Sequence, residues 1–130
     1  MTAERDRLDG RTVLLVEDEL LIAMDIEAEL VDRGVKVCGP VTRVSEGIPI
    51  VENDCEDVDA AILDVNLRGE DVYPIAERLA ARGVPFLFHT GHGDAQKLQA
   101  RFGRIPVCAK PVQTSELIDE VARLILEDDA

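Results

Sequence analysis

Ala60-Ala61-Ile62-Leu63-Asp64-Val65-Asn66-Leu67 is the stretch whose reading decides the fold. Four apolar residues run straight into an aspartate, and a loop follows that closes at Gly69. A short unbroken apolar run bounded by turn residues fits a strand buried on both faces, as in a parallel sheet. Asp64 then stands at the carboxyl end of that strand, where ligands bind in open α/β sheets.

Four more strand-like runs surround it. Arg11 to Val16 ends at Glu17-Asp18-Glu19, and Val35 to Gly39 stops before Pro40. Pro85 to His89 leads into Thr90-Gly91-His92-Gly93, and Pro106 to Ala109 ends at Lys110-Pro111. Helical patterns lie between them, over Leu20 to Arg33, Ser45 to about Glu52, Pro74 to Arg82, Ala95 to Phe102 and Ser115 to Leu126. Pro49 falls inside the second of these, so that helix must be short, kinked or late to begin. The first helix has an inner stripe of Ile22, Ala23, Ile26 and Leu30, suited to packing on a sheet. Leu20, Leu21, Met24 and Ala28 form a second patch, either further core or a surface offered to a partner. The segment over 95–102 has only Leu98 and Phe102 as strong apolar anchors.

Five strands alternating with five helices predict an α/β fold, a doubly wound five-stranded parallel sheet with helices on both faces. The chain of 130 residues suits one domain, expected over 11–126, with residues 1–10 and 127–130 as flexible termini. No apolar run approaches the roughly 18–20 residues of a membrane span. The first residues lack the apolar centre of a signal peptide, so a cytoplasmic location is expected. A net charge of −13 argues against nucleic acid as a direct partner. Cys38, Cys55 and Cys108 show no metal-ligand spacing, and Cys38 and Cys108 read as small buried thiols within strands. No GxGxxG or GxxxxGK[ST] occurs, which removes the main support for nucleotide binding.

The strand ends carry the chemistry. Glu17 and Asp18 follow the first strand, Asp64 the third, Thr90 the fourth and Lys110 the fifth. In a parallel sheet these ends share one edge, so the side chains converge. Three carboxylates together repel and need a cation, and an all-oxygen cluster suits Mg²⁺. Asp64 can attack phosphorus and form an acyl phosphate. Lys110 supplies a compact positive charge for one phosphoryl oxygen and Thr90 a hydroxyl for another. His89 and His92 flank Thr90 without a third ligand at metal spacing, and read as ordinary loop histidines.

Taken as a set, Leu-Leu-Val-Glu17-Asp18-Glu, Ile-Leu-Asp64-Val-Asn66-Leu, Phe-His-Thr90-Gly and Ala-Lys110-Pro111 resemble the receiver domains of two-component response regulators. The resemblance covers about Arg11 to Leu126. It implies a flavodoxin-like sheet in strand order 2-1-3-4-5, with Asp64 phosphorylated from a sensor histidine kinase or histidine phosphotransfer protein. It implies Mg²⁺ held by Glu17, Asp18, Asp64 and the backbone carbonyl of Asn66, and a cis bond between Lys110 and Pro111. Thr90 becomes the switch hydroxyl, and the output is a conformational signal to a downstream protein. Many receivers carry a Tyr or Phe three residues before the lysine, where this chain has Val107. Phe88-His-Thr90-Gly91-His-Gly93 instead resembles a sub-group of stand-alone receivers with a Phe-x-Thr-Gly-x-Gly segment. With the sequence ending at its fifth helix, no output domain is expected.

Such a domain catalyses only its own phosphorylation and dephosphorylation, and a phosphate sink without an effector is the variant reading. An aspartate-nucleophile phosphatase is the nearest rival. Its nucleophile comes early and its acidic pair late, the reverse of this chain, and Asn66 stands where such enzymes usually carry a general acid. A flavin-binding domain is the other rival, and an aromatic content of 3% leaves little to sandwich a flavin.

Overall fold

The computed structural model describes residues 8–54, 57–91 and 95–129. The strands are β1 (Thr12–Val16), β2 (Lys36–Val41), β3 (Ala60–Asp64), β4 (Asn66–Leu67), β5 (Glu70–Asp71), β6 (Phe86–Thr90) and β7 (Val107–Ala109). The helices are α1 (Leu20–Asp32), α2 (Val44–Pro49), α3 (Tyr73–Ala81), α4 (Ala95–Phe102) and α5 (Thr114–Asp129). Five strands pair in parallel in the order β2-β1-β3-β6-β7. This is the expected 2-1-3-4-5 order, with a small antiparallel hairpin, β4–β5, inserted after β3.

Alternation along the strands divides the core in two. Leu14, Val16, Ala61, Leu63 and Phe88 face α2, α3 and α4, where Val44, Ile75, Leu79 and Leu98 meet them. Val13, Leu15, Ala60, Ile62 and Leu87 face α1 and α5, where Ala23, Ile26, Leu30, Leu117, Ile118 and Val121 meet them. Burying one such large side chain stabilises by about 1.5–3 kcal/mol, which offsets the entropy of ordering the chain. Every residue of β3 is buried, as its unbroken apolar run requires.

Several boundaries differ from the expectation, each for a physical reason. The expected flexible start gives way at Leu8, which is fully buried among the residues facing α1 and α5. Arg11 at the head of β1 pairs with Asp59, just before β3, at 3.3 Å and with Asp129 at 2.6 Å. That tie lies at the amino edge of the sheet, and α5 runs to Asp129, three residues past the expected Leu126. The second strand passes Gly39 and continues through Pro40 to Val41. β2 is an edge strand, where a residue lacking an N–H costs the ladder least. Gly39 has φ +112, and a Cβ there would fall 2.6 Å from the Leu15 carbonyl oxygen. The close approach goes with a shift of register between Leu14 and Val16. It also brings the Val41 carbonyl to the Glu17 N–H at 2.9 Å.

Around Pro49 the helix is short, as expected, and it widens into a π turn over Ile50–Asp54. The second apolar patch of α1 is surface and not core. Leu20 is 67% exposed, Leu21 78% and Met24 53%, and Val31 extends the patch. Cys108 is free, whereas Cys38 is disulfide-bonded, a departure from the buried thiol expected of it. No described helix is long and apolar enough to cross a membrane.

Candidate functional site

The parallel register places the expected groups on one edge. Glu17 follows β1 directly, Asp64 ends β3, Thr90 ends β6 and Lys110 follows β7. Asp64 is the register partner of His89, and Thr90 of Ala109, so neighbouring strands deliver their polar ends at one level. The Lys110 N–H donates to the Thr90 carbonyl at 2.7 Å, fixing the root of the lysine beside the threonine. The Lys110–Pro111 bond is cis, as the resemblance implied.

Lys110 Nζ bridges the acids. It lies 3.3 Å from Asp64 Oδ2, 3.2 Å from Glu17 Oε1 and 3.5 Å from Glu19 Oε1. Glu17, Asp18 and Asp64 each offer a carboxylate oxygen, and these oxygens lie within 4.8 Å of one another. Asp18 is tied from outside, where its Oδ2 accepts the Arg68 N–H at 3.0 Å. Arg68 sits at φ +52 in the turn between β4 and β5, and this left-handed residue aims its N–H at the acidic pair. The Asn66 side-chain oxygen accepts the Gly69 N–H at 2.8 Å, and the Asn66 N–H donates to Asp64 Oδ1 at 3.4 Å. The Asn66 side chain is thus engaged in the turn, and it is the backbone carbonyl of Asn66 that the resemblance assigns to the cation.

Charge crowding shows in the acidities. Burial, and then Asp64 beside it, pushes the Glu17 carboxyl up to about 7. Burial likewise raises Asp64 above the usual carboxylate range, against the opposing pull of Glu17 and Lys110. Burial works against the Lys110 ammonium, yet the Asp64 and Glu17 charges outweigh it and hold the lysine above its ordinary value. Burial and the Lys110 charge drive His89 down to about 4, so its imidazole is neutral.

The structure brings together Glu17, Asp18, Asp64, Asn66, Thr90 and Lys110. Gly91 is exposed just beyond β6, and Val107 is half-buried opposite Phe88 on β7. Gly93 and His92 lie outside the described residues. The sequence reading missed the Arg68 N–H, a backbone group that carries no residue-type signal. It also passed over Glu19, whose reach to Lys110 depends on the turn into α1. It took His89 for a loop residue, although alternation along Phe86–Thr90 puts it on the buried face shared with Leu87.

An all-oxygen donor set fits a hard divalent cation. The three carboxylates, each with an oxygen within 4.8 Å of the others, supply the negative charge that such a cation would answer. The rest of the edge has room chemically for an anionic group beside Asp64, with Lys110 Nζ already 3.3 Å from Asp64 Oδ2.

The fold and this edge define a class of protein, and relatives bear on it directly. The chain matches no protein-family model. It is 30% identical to the signal receiver domain of a modulated diguanylate cyclase from Desulfovibrio desulfuricans G20, with a TM-score of 0.79, covering 93% of this chain and 98% of that one. It therefore belongs to the receiver domains of response regulators. A response regulator receiver protein from Sinorhizobium medicae WSM419 shares the fold at a TM-score of 0.80, with 23% identity over 93% of this chain and 98% of that one. The transcriptional regulatory protein PdtaR of Mycobacterium tuberculosis is 28% identical over 92% of this chain. The chain spans 59% of the length of that protein.

Proposed function

We propose that this receiver domain accepts a phosphoryl group on Asp64 from a phosphohistidine and passes the change to a partner protein by conformational shift. The observation that carries the reading is Asp64 Oδ2 held 3.3 Å from Lys110 Nζ, with Glu17 and Asp18 on its other side. In the transfer, an Asp64 carboxylate oxygen attacks phosphorus as the bond from phosphorus to the donor imidazole nitrogen breaks. That nitrogen leaves with the electron pair, and an acyl phosphate remains on Asp64. Lys110 offsets charge on the transferred oxygens, and the Thr90 hydroxyl donates to one of them. Glu17, Asp18, Asp64 and the Asn66 carbonyl would hold Mg²⁺, which when bound neutralises charge between the acids and the phosphoryl oxygens. The expected donor is a sensor histidine kinase or a histidine phosphotransfer protein, and the product is a signalling state, with no separate substrate turned over.

The exposed Leu20, Leu21 and Met24 supply the docking side of this reading. They follow directly after Glu19, whose carboxylate touches Lys110, so an apolar surface borders the acceptor. An exposed patch rimmed by polar residues marks an interaction surface.

Two experiments test the proposal. Wild-type protein incubated with a phosphorylated kinase, or with a small phosphodonor, should gain one phosphoryl group on Asp64 by mass spectrometry. Asp64→Asn, or chelation of Mg²⁺, should abolish it, and undiminished labelling in either case refutes the assignment. Leu21→Asp should slow transfer from a protein donor about tenfold while leaving labelling by the small donor intact. Equal loss with both donors would mean the patch supports the fold and not the encounter.

A further inference from the structure

Among the described residues, two buried polar atoms at this edge lack hydrogen-bond partners, and they face each other: Glu17 Oε1 and His89 Nδ1, 3.8 Å apart. The Glu17 and His89 side chains are 1% and 6% exposed, so solvent does not supply the missing bonds. Leaving a buried polar group unpaired is costly, and two such groups left aimed at each other need an explanation. Lys110 approaches the same Glu17 oxygen at 3.2 Å as an ion pair, without hydrogen-bond geometry. Its hydrogen bonds go to Glu17 Oε2 at 3.5 Å and Asp64 Oδ2 at 3.3 Å. At 3.8 Å the His89–Glu17 gap is too narrow for a bridging water. Closing it to hydrogen-bond length requires a movement of under about 1 Å.

Resting on the reading of Glu17 as a ligand of Mg²⁺, we propose that His89 is a positioning residue, donating its Nδ1–H to Glu17 Oε1 and so fixing the oxygen that this carboxylate offers to the cation. Facing a deprotonated Glu17, the form a cation requires, the ring nitrogen carries its proton there, because two lone pairs would repel. The other nitrogen, Nε2, is then unprotonated. Groups that orient ligands in this way commonly set metal affinity. His89 is well placed for it. Its backbone is fixed by pairing with both Asp64 and Cys108, so its ring moves little relative to the acceptor. With Oε1 committed to His89, Lys110 no longer divides its charge between the two acids and is left to Asp64. A cavity of about 180 Å³ beside His89, lined by Ile22, Ile26, Lys110, Val112 and Leu117, gives the ring room to rotate.

Two measurements test this. The first is ¹⁵N–¹H correlation across the His89 ring in wild-type protein saturated with Mg²⁺. The expected result is the Nδ1–H form, and the Nε2–H form overturns the inference. The second is Mg²⁺ titration by calorimetry. His89→Leu should weaken binding about tenfold, and His89→Asn, which keeps a donor near the Nδ1 position, should recover most of the loss. A change under twofold in a folded His89→Leu protein overturns the inference while leaving the Mg²⁺ reading intact. Failure of wild-type protein to bind Mg²⁺ would overturn both.

Discussion

Glu17 carries a heavy electrostatic burden, buried beside a second carboxylate. Its carboxyl is raised to about 7 by burial and by Asp64. A carboxyl raised on folding stabilises the protein below its unfolded value, near 4.5, and that contribution is lost as pH rises through 7. His89, lowered to about 4, works in the opposite sense, contributing above 6.5 and losing that contribution as pH falls through 4. Comparing Glu17→Gln with the wild type in chelator isolates the first effect. The variant should match the wild type near pH 4 and become more stable by about 2 kcal/mol at pH 8, read from urea midpoints. A difference that stays constant across pH would show that Glu17 does not titrate in this range. Asp64, Lys110 and Thr90 were legible in the sequence because each closes an apolar run, and strand ends in a parallel sheet share an edge. His89 was not. Its place on the buried face depends on where β6 begins, and a shift of one residue turns a strand's side chains to the other side.

At the level of elements, α4 is held differently from what its two apolar residues suggested. Leu98 is fully buried, while Phe102 joins three other rings, 5.5 Å from Phe88, 5.5 Å from Tyr73 and 6.0 Å from Phe86. Arg101 adds a pairing with Glu77 at 3.1 Å and lies 4.5 Å from the centre of the Tyr73 ring. Sequence spacing identified Phe102 as an anchor but not this ring cluster, because its members come from three separate elements. The cluster links β6 to α4, since Phe88 stands two residues before Thr90. Val107, pairing with Phe88, has no ring to swing in that place. Phosphorylation that draws Thr90 toward the new oxygens should therefore be felt in α4 through Phe88 and Phe102. Hydrogen exchange with and without a beryllofluoride phosphate mimic should show its largest change over residues 91–104. Phe102→Leu should reduce that change and cost about 1–2 kcal/mol of stability. Changes centred on β7 and α5 instead would refute this route.

For the molecule as a whole, the alternation of strands and helices called for a parallel sheet covered on both faces, while the strand order came only from the resemblance and agrees with the observed β2-β1-β3-β6-β7. The exceptions were local. Pro40 was read as closing a strand and Leu8 as part of a flexible terminus; instead Pro40 lies within β2, since an edge strand tolerates proline, and Leu8 is fully buried. The acidic balance, −13 overall, bears on global stability through the site's own acids. A cation bound only to the folded state stabilises by mass action. Asp18→Asn should raise the melting temperature of the chelated protein by about 2–5 °C and shrink the gain on adding Mg²⁺. An unchanged gain in scanning calorimetry would place the cation away from Asp18.

The tie between Arg11, Asp59 and Asp129 has a practical reach. It sits at the end of the sheet away from Asp64, so cargo fused after residue 129 would emerge behind the acceptor and clear of the α1 patch. Surface immobilisation through that end would present every molecule with its Asp64 edge outward. A fluorescent reporter carried there would ride on α5 without shadowing that edge.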